Sequence, residues 1–185
     1  MVKLNKIYTR TGDTGSAGLV DGSRVSKACP RMAAIGDIDE ANSAIGVAIS
    51  ALGGNADLQR IQHDLFDLGA DIATPMGGEF DAGALRIVEP QVTRLEDEID
   101  AMNADLEPLE SFILPGGSPG VSHLYYARAV VRRAERSLVA LMAEETVNPF
   151  AVAYLNRLSD HLFVTARHVA KGEGGDIEWT PGANR

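Results

Sequence analysis

Residues 124–142 read LYYARAVVRRAERSLVALM. The run is rich in Ala and Leu and reads as part of a long helix over about 120–145. At about 100° per residue, Arg128, Arg132 and Glu135 fall within about 60° of one another. Arg136 lies near their edge, and Arg133 points well away. Val131, Ala134, Leu138 and Leu141 form an apolar stripe to one side. Two arginines and a glutamate therefore stand beside a core-facing seam. One reading is a solvated face of i,i+4 charge pairs. The other is an anion site. Like charges at i,i+4 repel unless an anion joins them, and guanidinium forks suit phosphate oxygens. Asp39 would satisfy one arginine and a polyphosphate the other.

The flanking sequence repeats the helical period. After Pro30, Met32, Ile35, Ile38, Ile45, Ile49 and Leu52 recur at helical spacings, and Gly53-Gly54 stops the run. A second helix carries Leu58, Ile61, Leu65, Leu68 and Ile72 and ends before Pro75. Residues 74–90, TPMGGEFDAGALRIVEP, read as a loop. A third helix starts near Glu89 with Val92, Leu95, Ile99 and Met102, and SFILPGGSPG is a second glycine-rich connection. A fifth helix covers about 150–171, with Leu155, Leu158, Leu162, Ala166 and Val169 toward the core. Asn156, Asp160, Phe163 and Arg167 share another face of it, within about 60°. The tail GEGGDIEWTPGANR is polar with one tryptophan. Five helices, no strand pair and only 5% aromatics predict an all-α, up-and-down five-helix bundle of the ferritin-like type. One domain over 1–185 is expected, divided into an N-terminal segment 1–26, a bundle 27–171 and a tail 172–185.

The N-terminal stretch 8–24, YTRTGDTGSAGLVDGSR, has no helical period and is expected to be irregular and Gly/Thr-rich. Asp13-Thr14-Gly15-Ser16 spells half of an aspartic-protease site, but such a site needs two carboxylates sharing a proton, and the string occurs once in a helical sequence. Thr9, Arg10, Thr11, Gly12, Asp13, Gly15 and Ser16 offer hydroxyls, a guanidinium and approachable backbone N–H groups, the parts of an anion cradle. The P-loop pattern is absent. A disordered terminus is the competing account. The formal net charge of −9 argues against nucleic acid as a partner. No stretch is apolar enough to span a membrane, and the start lacks a signal-peptide run. A single cysteine, Cys29, forms no intrachain disulfide and suits a reducing cytoplasm. His63, His123, His161 and His168 make no metal-ligand pattern and are expected at the surface or an interface.

Three blocks give the sequence a family resemblance. IYTRTGDTGSAGLVDGSRVSK followed by GDIDEAN, then FILPGG with ARAVVRRAER, then YLNRLSDHLFVTAR resemble, in order, the signatures of the PduO-type ATP:cob(I)alamin adenosyltransferases. The resemblance implies a homotrimer with active sites between subunits. It implies transfer of the 5′-deoxyadenosyl group of ATP to the cobalt of reduced cobalamin. It assigns Thr9 to Ser16 and Lys27 to the triphosphate, and Arg132, Glu135 and Asn156 to the rest of the ATP site, with Asn156 near Mg²⁺. Arg128 would pair with Asp39 of a neighbouring subunit, and Phe112 would face the lower side of the corrin. The implied catalytic set is Arg128, Arg132, Phe112 and Asp39, and Phe163 joins the corrin-facing residues. A cobalamin reductase and an adenosylcobalamin-dependent mutase are the implied protein partners. The sequence departs from the family at Ala17, where Thr is usual, at Tyr125, where His is usual, and at Ala41, where Leu is usual. Two alternatives remain: a helical cobalamin or nucleotide carrier without turnover, and a scaffold whose arginines only make subunit salt bridges.

Overall fold

The computed structural model describes residues 7–185. Helix α1 spans Pro30–Ala51, α2 Ala56–Ala73, α3 Glu89–Asn103, α4 Pro119–Met142 and α5 Pro149–Lys171. All five lie where the periodicity puts them. Pro30, Pro119 and Pro149 open their helices, where a missing N–H is harmless. Asn55 caps α2 by accepting from the Leu58 amide at 2.9 Å, and Asn148 caps α5 by accepting from that of Phe150 at 3.1 Å. The α1–α2 connection, residues 52–55, is short enough to require an antiparallel return.

Helix α1 packs on α2 and α4, α4 on α5, and α5 on α3. One contiguous apolar core runs through all five. On α1 its buried face is built largely from Ala34, Ala41, Ala44 and Ala48, with Ile38 and Ile45 between them. Small side chains let α1 and α4 approach closely. The departure at Ala41 thus falls in the core, on a fully buried residue.

Two expectations need correction. The N-terminal segment contains a strand pair: β1 (Ser16–Gly18) runs antiparallel to β2 (Arg24–Ser26), with Ala17 opposite Val25. Its strands are too short and polar to alternate visibly. Arg24 stabilises the pair instead, donating to the Thr11 carbonyl at 2.6 Å and the Ser16 hydroxyl at 2.7 Å. Second, His161 is a core residue, 2% exposed. Its Nε2 lies 2.9 Å from Glu98 Oε2, which compensates its burial. Arg167, on the same face of α5 as exposed Asn156, is not itself exposed. It is buried and clamps the tail.

Candidate functional site

The N-terminal loop is organised around two glycines and a lysine. A Cβ on Gly12 would stand 3.0 Å from Lys27 Nζ and 3.3 Å from the Ser16 carbonyl, so glycine lets that ammonium settle closely on the loop. Gly15 has φ 84°, and its carbonyl accepts from the Lys27 amide at 2.9 Å. Arg10 also takes a left-handed conformation, φ 63°, with its guanidinium over the Tyr8 ring at 5.6 Å. The Thr9 and Thr11 hydroxyls lie 2.9 Å apart. The Ser16 hydroxyl accepts from Arg24, which leaves its own proton free to donate. Exposed Thr9, Arg10, Thr11, Asp13 and Gly15 surround half-buried Gly12 and Ser16. The loop is joined to the bundle where the Val20 amide donates to the Ala73 carbonyl at 3.2 Å.

On α4 and α5, Asn156 Nδ2 donates to Glu135 Oε1 at 2.9 Å, uniting two expected site residues from different helices. Asn156 Oδ1 accepts from Arg157 Nη1 at 3.2 Å. Arg132 stands exposed on the same side of α4, and its guanidinium has no hydrogen-bond or ion-pair partner among the described residues. Arg128 is half-buried, with its guanidinium 5.4 Å from the Phe163 ring centroid. Burial first, and the neighbouring Arg132 second, lower the pKa of Arg128. Phe163 in turn meets Tyr125 edge-on at 6.2 Å. Arg133, on the other side of α4, pairs with Asp37 and Glu40 of α1.

Asp39 is exposed on α1, at the edge of an apolar groove of about 500 Å³ between α1 and α2. Phe66 in that groove is 69% exposed. Phe112 is 77% exposed on the loop before α4. It flanks a cavity of about 480 Å³ shared with Leu109, Trp179 and Pro181.

The structure therefore forms three groups: the loop with Lys27, the Arg132–Glu135–Asn156 set with Arg128 and Phe163, and Phe112 with the tail. No hydrogen bond or ion pair among the described residues joins the loop to Arg132, nor Asp39 to Arg128. Sequence reasoning missed Arg24, Trp179 and Arg167, whose roles rest on contacts distant in sequence.

No group of three or more His, Cys, Asp or Glu side chains among the described residues is arranged to hold a metal. The Glu135 carboxylate and the Asn156 amide oxygen are hard donors. They fit a Mg²⁺ held mainly by phosphate oxygens and water.

The family model for cobalamin adenosyltransferases matches residues 7–169. A corrinoid adenosyltransferase from Mycobacterium tuberculosis strain H37Rv is 49% identical, the alignment covering 100% of this chain and 97% of that protein. A cobalamin adenosyltransferase from Cupriavidus metallidurans is 47% identical, over 96% of this chain and 95% of its own. A solved variant of the PduO-type ATP:corrinoid adenosyltransferase from Lactobacillus reuteri, complexed with cobalamin and ATP, superimposes with a TM-score of 0.86. It is 37% identical, over 94% of this chain and 99% of that one.

Proposed function

The chain belongs to the cobalamin adenosyltransferase family, and from that we infer that it moves the 5′-deoxyadenosyl group of ATP onto the cobalt of cob(I)alamin, giving adenosylcobalamin and triphosphate. The similarity runs end to end and includes a structure holding both substrates, which is the observation that carries the reading.

Cob(I)alamin is itself a strong nucleophile, so no serine or cysteine nucleophile is required. Cobalt attacks C5′, the C5′–O bond breaks, and the electron pair leaves with triphosphate. The protein has two tasks. It aligns cobalt with C5′, and it stabilises the charge growing on the leaving group. Lys27, Arg10 and the loop amide of Gly12 are assigned to the phosphates, with the Thr9, Thr11 and Ser16 hydroxyls; Gly15, whose amide donates to the Gly12 carbonyl at 3.1 Å, and Asp13 complete the loop. The guanidinium of Arg132, unpartnered among the described residues, is assigned to the same charge. Glu135 and Asn156 would hold the nucleotide, with Mg²⁺ beside Asn156. That ion neutralises phosphate charge when bound. Phe112 and Phe163 would face the corrin.

We assign the complete site to the boundary between protomers of a homotrimer. That no hydrogen bond or ion pair among the described residues joins the loop to Arg132 within one chain is consistent with this, as is the apolar groove beside Asp39. The single cysteine fits a cytoplasmic setting. A cobalamin reductase upstream and an adenosylcobalamin-dependent mutase downstream would be its partners.

The test is anaerobic incubation with ATP and cob(I)alamin. Loss of the Co(I) absorbance with formation of a light-sensitive Co–C product is expected. Tight binding of both substrates without that product would select the carrier. Absence of ATP protection against heat unfolding would select the scaffold.

A further inference from the structure

We propose that Trp179 is a positioning residue for the corrin reaction, its indole and main chain holding Phe112 as a preset apolar wall. The inference rests on the reading of Phe112 as a corrin-facing residue. An exposed phenylalanine on an ordinary loop changes rotamer and backbone freely. Phe112 is exposed but restrained on every side of its own peptide. Its carbonyl accepts from the Trp179 amide at 2.7 Å. The next residue forms an antiparallel bridge, Ile113 with Glu178, and the Leu114 amide donates to the Ile177 carbonyl at 2.8 Å. The preceding Ser111 hydroxyl donates to the Trp179 carbonyl at 2.7 Å. The two rings then meet edge to face, with centroids 5.9 Å apart and planes at 62°.

Arg167 secures both strands of this bridge to the bundle. It donates to Asp176 Oδ2 at 2.9 Å and to the Glu107 carbonyl at 2.8 Å. It lies one turn beyond Phe163 on α5, so both corrin-facing phenylalanines are referred to one helix. A wall that excludes an axial nitrogen from cobalt competes with a metal–ligand bond. A mobile ring would lose conformational entropy at that moment, whereas a ring already braced loses little. Trp179 supplies the brace, and its own 43% exposure places it beside the same cavity as Phe112.

The experiment uses the full chain with ATP and cob(II)alamin, read by electron paramagnetic resonance. Nitrogen hyperfine splitting separates cob(II)alamin with an axial base from the form without one. Trp179→Ala is expected to raise the nitrogen-ligated share about fivefold, the scale of one edge-to-face aromatic pair, with KM for ATP unchanged. Trp179→Phe should restore most of the axial-free form. Phe112→Ala should produce the same shift, and the double variant no more than Phe112→Ala alone. A shift in Phe112→Ala with none in Trp179→Ala overturns the positioning role and leaves the Phe112 reading intact. No shift in Phe112→Ala removes the reading itself. A shift in Trp179→Ala alone makes Trp179 the wall and also overturns the positioning role, as does a raised KM for ATP in Trp179→Ala.

Discussion

The Arg132 guanidinium has no hydrogen-bond or ion-pair partner among the described residues, yet it is held beside a half-buried arginine on one side and the Glu135–Asn156 hydrogen bond on the other. Its charge disfavours that of Arg128 one turn away, a repulsion that an arriving anion relieves. Arg132→Ala should therefore fold normally and lower kcat/KM about 100-fold, since the charge assigned to the leaving triphosphate is lost. Steady-state kinetics near the parent value would remove the assignment. Two buried tyrosines separate structural from unmet hydrogen bonding. The Tyr154 hydroxyl donates to Asp64 at 2.8 Å, whereas the Tyr125 hydroxyl is buried without a partner among the described residues. Burial, then the carboxylate of Asp176, pushes the Tyr125 pKa up to about 12. In urea unfolding, Tyr154→Phe should lose about 1–3 kcal/mol, and Tyr125→Phe should change stability by less than about 1 kcal/mol. An equal loss at Tyr125 would reveal a bound water satisfying its hydroxyl.

Between elements, a polar seam joins α2, α3 and α5. Glu98 of α3 receives Arg60 from α2 and lies 2.9 Å from His161 Nε2 on α5. Burial pushes the Glu98 carboxyl up, but His161 and Arg60 together outweigh it, and the net pKa lies below the usual Glu value. A carboxylate depressed in the folded state contributes stability above its unfolded pKa, about 4.3, and loses it as pH falls through the lower folded value. Glu98→Gln should therefore flatten the fall of Tm below about pH 4.5, and an acid limb as steep as the parent's would contradict this coupling. The seam also shows where sequence reasoning stops. The helices were legible because apolar periodicity, opening prolines and Gly53-Gly54 act locally. His161 was not, because its exposure is decided by Glu98, a residue on another helix. The β1–β2 pair was hidden for the same reason, its cross-strand support coming from the Arg24 side chain rather than an alternating pattern. Arg132, Glu135 and Asn156 could be named from helical angles and family motifs, but only packing of α4 on α5 joins the last two.

At the scale of the whole molecule, the single chain leaves matched deficits. Arg128 is half-buried, its charge disfavoured by burial and by Arg132, and it has no ion pair among the described residues. Asp39 is exposed with no side-chain partner among them, beside a groove from which Phe66 protrudes. A neighbouring copy that covers the groove would bury Phe66 and bring an acid to an arginine that lacks one. Burying Phe66 would supply about 2 kcal/mol, and the charge pair would fix the register of the subunits. Asp39→Asn keeps the shape and removes the charge, so it should weaken each interface by about 2 kcal/mol. Sedimentation velocity should then show smaller species at micromolar protein, with corrinoid binding reduced in parallel. Because the lost attraction is electrostatic, raising the salt concentration should weaken the parent assembly more than the variant. An Asp39→Asn protein with the parent's sedimentation, unchanged corrinoid binding and the parent's salt response would dissolve the pairing and leave Arg128 to be satisfied by the substrate alone.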